Sequence, residues 1–142
     1  MMVSAKTQYA CIAMLELAAR QAEPEPVRIR EIAAAHGIPS RFLVQILLQL
    51  KAAGLVQSVR GAAGGYRLAR PADEITLLDV MTVVDPQLGQ PEPEIAQRLP
   101  TRRVLHEVWQ QVARQQREVL ASVTLADLAD RLRDVPAGMY YI

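Results

Sequence analysis

Ser58-Val59-Arg60-Gly61-Ala62-Ala63-Gly64-Gly65-Tyr66-Arg67-Leu68 decides how this chain folds. The β-prone run Leu55-Val56-Gln57-Ser58-Val59 leads into it, and the short alternating run Tyr66-Arg67-Leu68-Ala69-Arg70 leads out. Two strand-like runs joined by a loop with three glycines read as a β-hairpin. Ordinary hairpins close on two polar residues, whereas this loop is longer, nearly bare of side chains, and flanked by Arg60, Arg67 and Arg70. Glycine admits positive φ and lets a backbone come close to another molecule. Arginine supplies fixed charge and paired donors suited to phosphate or guanine. Taken alone, the stretch would pass for a glycine-rich surface turn. What precedes it changes that reading.

Ile29 to about His36 reads as a short helix with Ile29, Ile32 and Ala33 inward, ended by Gly37-Ile38-Pro39. Ser40 is expected to cap the next helix, which runs to Ala53 and is followed by Gly54. Its core stripe is Leu43, Ile46, Leu47 and Leu50, at the i, i+3, i+4, i+7 spacing. The opposite stripe is Arg41, Val44, Gln45 and Leu48. Two helices joined by a short glycine-containing turn form a helix-turn-helix, whose second helix lies in the DNA major groove. Arg41 and Gln45 are the side-chain types that pair with guanine and adenine edges. A helix-turn-helix followed directly by a cationic hairpin is a winged helix, so the expected fold is mainly α with one small β-hairpin.

Charge supports a polyanionic partner for the front half. Residues 1–70 hold nine Lys+Arg against four Asp+Glu, and residues 71–142 seven against eleven, so the net +1 conceals two opposed halves. Between residues 28 and 70 stand seven basic residues and one acidic one, Glu31. The 51% hydrophobic and 22% charged content is that of a folded protein, and the 4% aromatic content implies an aliphatic core. One cysteine excludes an internal disulfide framework. No apolar run has membrane-spanning length, and Tyr9–Leu15 is too short for a signal segment, so no membrane is involved and the expected location is the cytoplasm.

Ile32-Ala33, Gly37-Ile38, Leu43, Gln45, Leu50, Ala53-Gly54-Leu55-Val56, Ser58-Val59-Arg60-Gly61, Gly64-Gly65-Tyr66 and Leu68 resemble the IscR/NsrR/CymR family of bacterial transcription regulators, also called the Rrf-two family. Ser4-Ala5-Lys6, Tyr9-Ala10 and Met14 resemble its first helix, and Ile75-Thr76-Leu77 with Asp79-Val80 fit its sequence after the wing. The likeness is close over about residues 3–85 and loose beyond. It implies a homodimeric winged-helix regulator on a partly palindromic operator in double-stranded DNA, with Arg60 of the wing in the minor groove. The residues expected at DNA are Arg28, Ser40, Arg41, Val44, Gln45, Lys51, Arg60, Gly61, Gly64, Gly65, Tyr66 and Arg67. Cluster-binding members tend to have an acidic residue just before the glutamine, where this chain has Val44. A carboxylate accepts from cytosine and a valine meets only a thymine methyl, which implies a different operator.

The rest of the chain frames this unit. Ser4 is expected to cap a first helix to about Arg20, apolar on most of its circumference and therefore expected to touch a partner subunit as well as its own core. Thr76 and Asp79 form a capping box for a helix to about Val84. The expected division is a winged-helix domain over 1–85, a proline-rich loop over 86–100, and a dimerisation helix with a C-terminal helix over 101–142. Four prolines and few apolar anchors leave two readings, a loop that orders only with an effector, a small molecule or a protein, or with DNA, and a plain linker. The long helix, about Thr101 to Ser122, sets Leu105, Val108, Trp109, Val112, Val119 and Leu120 on one side, the first five as dimer contacts. Thr124 caps a last helix, Leu125–Arg133.

Cofactor chemistry is expected to be absent. The resemblance implies three cysteines in the loop before the long helix, holding an iron–sulfur cluster, and residues 85–103 contain none. The family's histidine ligand has a match in His106, three residues before Trp109, but one imidazole does not replace three thiolates. His106 is read as lying on the exposed flank of its helix, and Cys11, the one thiol, as a small apolar filler. No phosphate-binding loop, zinc spacing or nucleophile–base pair is present, which excludes an enzyme. The rival to a DNA-binding regulator is a winged helix that docks a protein such as a metabolic enzyme. That face should be mixed or apolar rather than basic.

Overall fold

The computed structural model describes residues 3–62, 64–88 and 99–136 of the 142. Its elements are α1 (Ala5–Ala19), α2 (Ile29–His36), α3 (Ser40–Ala52), β1 (Val56–Val59), β2 (Gly65–Leu68), a 3-10 turn (Ala72–Glu74), α4 (Leu77–Val84), α5 (Pro100–Ser122) and α6 (Leu125–Arg133). Mostly helical with one two-stranded antiparallel hairpin, it is the winged helix-turn-helix expected from the sequence. The centre of the proline-rich loop, and with it the expectation of effector-dependent order, lies outside the described residues, as does Ala63 of the wing.

Local chemistry sets most of the boundaries. The Ser4 hydroxyl caps α1 by accepting from the Thr7 amide. Gly37, at φ 64°, ends α2 in the left-handed region where a side chain would be strained. Thr76 with Asp79 and Thr124 with Asp127 form full capping boxes for α4 and α6. Ser40 departs from expectation. The extended Pro39 occupies the cap position and Ser40 is the first helical residue, with no capping bond from its side chain.

The core gathers on α1 and α3. Leu43, Ile46, Leu47 and Leu50 are buried along the predicted stripe of α3. Thr7, Ala10, Ala13, Met14, Leu17 and Ala18 are the buried face of α1. That helix packs against α3, α4, α6 and β2 of its own chain. Its broad apolar circumference is thus largely met within one subunit, leaving Tyr9, Cys11, Ile12 and Leu15 half-buried. The C-terminal helix returns to this body, because Leu125 and Ala129 of α6 belong to the same core as Met14 and Leu50. A short main-chain bridge, Thr76 to Thr124, ties the start of α4 to the start of α6, with Leu77 N–H on Val123 O at 2.9 Å and Leu125 N–H on Ile75 O at 2.9 Å.

The long helix α5 packs on α4 and leaves the stripe expected for a partner exposed, with two departures from expectation. His106 and Leu120 are its buried residues, so Leu120 does not share the outer stripe and His106 is not on an exposed flank. The two are four turns apart and therefore on one face. The apolar side chains Leu105, Val108, Trp109, Val112 and Val119 remain exposed on this chain, Trp109 at 56%.

The wing is anchored by its backbone. β1 pairs with β2 in the register Val56 to Leu68 through Val59 to Gly65. The bridge between Val27 and Tyr66 sets a third chain segment, from the α1–α2 connection, beside β2. A Cβ on Gly65 would stand 2.4 Å from the Val27 carbonyl oxygen, closer than real contacts allow. We therefore expect Gly65→Ala to destabilise the fold by about 1–3 kcal/mol through overpacking, read as a lower urea midpoint with an unchanged slope. A midpoint equal to that of the wild type would show that the wing yields freely.

Candidate nucleic-acid interface

The exposed side of α3 and the wing enclose a concavity of about 540 Å³, whose walls include Arg28, Arg30, Ser40, Val44, Ser58, Val59 and Gly61. The helical period puts Arg41, Gln45 and Leu48 on the crest of α3, opposite its buried stripe, with Val44 turned toward the wing. The Arg41 guanidinium lies 5.8 Å from the centre of the Phe42 ring, a cation–π contact that orients it. Lys51 donates from Nζ to the Ser58 hydroxyl at 2.9 Å, joining the end of α3 to β1.

The basic residues divide into exposed charges and structural ones. Arg28 donates to the Ala62 carbonyl at 2.6 Å, holding the wing loop while its charge stays at the concavity. Among the described residues Arg60 is the wing arginine with no hydrogen bond to the protein, and it stands exposed at the end of β1. Arg67 instead donates to the carbonyls of Glu23, at 3.3 Å, and Pro24, and it does not line the concavity. Arg70 donates to the Glu74 carbonyl at 3.1 Å. Glu31, the one acid within 28–70, is met by Arg20 at 2.9 Å, and that hydrogen bond holds its carboxyl below the usual range. The concavity therefore keeps its positive charge.

The glycines and Tyr66 act mainly within the chain. Gly61 turns the wing tip and accepts from the Gly64 amide at 2.9 Å. Gly64, Gly65 and Tyr66 also line the concavity, but Gly65 admits the Val27 backbone, and Tyr66 exchanges main-chain bonds with Val27 at 3.0 and 2.8 Å. The close approach expected to be toward another molecule is, at Gly65, taken by the chain's own Val27. Its β-branched side chain after Pro26 was the available signal.

The donor set does not fit an iron–sulfur cluster. Residues 85–103 supply no thiolate, and among the described residues no three His, Cys, Asp or Glu side chains converge as metal ligands. Cys11 is half-buried on α1 and desolvation pushes its thiol up to about 11. A raised thiol pKa leaves less thiolate at neutral pH, and the thiolate is the nucleophile. We expect iodoacetamide to alkylate native Cys11 roughly a hundredfold more slowly at pH 8 than a free cysteine, with the difference lost in denaturant. Equal rates in the folded chain would show an accessible thiolate.

The family model described as "Iron-dependent Transcriptional regulator", Rrf2, matches residues 3–131. CymR of Bacillus subtilis, an HTH-type transcriptional regulator, is 35% identical over 143 residues, which is 100% of this chain and 100% of that protein. The solved structure of that protein, titled as the global cysteine regulator, has a TM-score of 0.81 at 34% identity and covers 92% of this chain and 98% of its own. IscR of T. potens superposes with a TM-score of 0.80 at 35% identity, covering 99% and 97%. These relatives regulate transcription and are not enzymes. Among the described residues no helix is long and apolar enough to cross a membrane. A reading helix, a cationic wing and a family match over almost the whole chain agree: the protein belongs to the Rrf2 family of transcriptional regulators.

Proposed function

We propose that this regulator acts in the cytoplasm as a homodimer on a partly palindromic operator and works without an iron–sulfur cluster. The observation that carries the reading is the concavity between α3 and the wing, basic at Arg28 and Arg30 with Arg60 exposed on the wing beside it, and with its one nearby acid neutralised by Arg20. A duplex phosphate backbone is the partner that such a charge distribution fits, and a protein-docking wing would not need it. The dimer is supported by the exposed stripe Leu105, Val108, Trp109, Val112 and Val119 on α5, an apolar face that no element of this chain covers among the described residues. The absence of a cluster is supported by the donor chemistry, one thiol held protonated on α1 and none in 85–103. The input signal then lies elsewhere, in a small molecule or a protein effector.

Selection from a random duplex pool, followed by binding measurements on the recovered sequence, tests the regulator. Two chains per duplex and a log–log salt slope well below zero are expected. Arg60→Ala should weaken operator binding by about 1–3 kcal/mol if the wing enters a groove. A flat salt dependence would sink the phosphate-driven reading, and an unchanged Arg60→Ala affinity would take the wing out of the groove.

For the cofactor, protein purified without oxygen should be colourless and lack stoichiometric iron and acid-labile sulfide. Iron and sulfide at cluster stoichiometry would overturn the proposal and turn attention to Cys11 and His106 as ligands.

A further inference from the structure

The crest of α3 is unusually apolar for a surface that faces a polyanion. Leu48 is 53% exposed and Val44 38%, and neither is covered by another part of the chain. Phe42, 49% exposed, has a use within the protein, since its ring carries the Arg41 guanidinium. Val44 and Leu48 have none. Scattered apolar side chains on a surface are ordinary, but these two lie one turn apart on the same side of the reading helix as Arg41 and Gln45. Any ligand that engages Arg41 and Gln45 must also cover them.

In the major groove the apolar feature that bases offer is the C5 methyl of thymine. Residues i and i+4 on a helix are about 6 Å apart, while bases along one strand rise about 3.4 Å per step. Val44 and Leu48 thus match methyl groups one or two steps apart, with Gln45 and Arg41 placed to bond neighbouring adenine or guanine edges. A protein partner would also accept an apolar pair, but it would not explain Arg28 and Arg30 in the concavity or the exposed Arg60 on the wing.

We propose that Val44 and Leu48 read thymine methyl groups, so that each half-site is selected partly by a group that makes no hydrogen bond. The proposal rests on the DNA-binding regulator reading and specifies what its reading helix recognises. Each buried methyl is worth about fourfold in affinity. Losing one in each half-site should cost tenfold or more.

The test begins with the operator recovered from a random duplex pool, resynthesised with deoxyuridine in place of thymidine. This removes the methyl groups and leaves the Watson–Crick pairing intact. Binding of the full-length protein to the two duplexes is compared at one salt concentration, for wild type and for Val44→Ala, Leu48→Ala and the double variant. Thermal midpoints are recorded to establish that each variant is folded. We expect wild type to prefer the thymine operator by tenfold or more, and the double variant to bring the ratio toward one. Equal wild-type affinity for both duplexes would overturn the inference, as would a selected half-site without thymine. A preference that survives intact in the folded double variant would also overturn it, by showing that the methyl acts through DNA shape. Recovery of no bound duplex would instead overturn the regulator reading, and this inference would fall with it.

Discussion

A wing of two four-residue strands is too small to stand by itself, and the geometry of the whole reading surface depends on how it is held. The holding point is Val27, which exchanges both main-chain bonds with Tyr66 just outside the α2 helix. Arg28, the next residue, clamps the wing loop, and Arg67 reaches back from β2 to the carbonyls of Glu23 and Pro24. Lys51 closes the frame from α3. Because α2 packs on α3, the same connection that positions the helix-turn-helix also positions Arg60. The relation between wing and reading helix is built in before any ligand arrives.

This arrangement also explains how a chain with a net charge of +1 can present a strongly basic surface. Three of the four acidic residues in the front half, Glu16, Glu23 and Glu31, are paired away from the concavity. Arg20 takes Glu23 and Glu31 together, and His36 sits 2.8 Å from Glu16 on α1. Arg28, Arg67 and Arg70 donate to backbone carbonyls, which fixes where their charges stand without neutralising them. Surface ion pairs of this kind add little stability. Their effect here is on the local field.

What the sequence made legible was what local chemistry decides. The capping boxes at Thr76 and Thr124, the glycine after His36 and the four-residue stripe of α3 each carry their own signal within a few residues. Less was legible where a distant segment decides. Ser40 looks like a cap until Pro39 is seen to fill that position. Nothing near Gly65 and Arg67 in sequence announces that they also serve Val27 and the carbonyls of residues 23 and 24. On α5 the apolar pattern of Leu105, Val108, Trp109 and Val112 is stronger than that of His106 and Leu120, yet the weaker face is the one turned inward. Periodicity identifies an apolar face but not which body covers it.

The two buried residues of α5 carry a mechanical consequence. His106 and Leu120 lie buried about 21 Å apart along the helix, which rests on α4, and beyond its C-terminal end α6 is stitched to the start of α4 by backbone bonds. A rod that rests on α4 and runs into α6, both of them part of the core that carries α3, is coupled to that body. In the proposed dimer, a rotation between the paired α5 rods would therefore reach the reading helices undiminished, as in calipers whose jaws and handles are cut from one piece. A signal acting far from the DNA would need only to change the angle at which the rods meet.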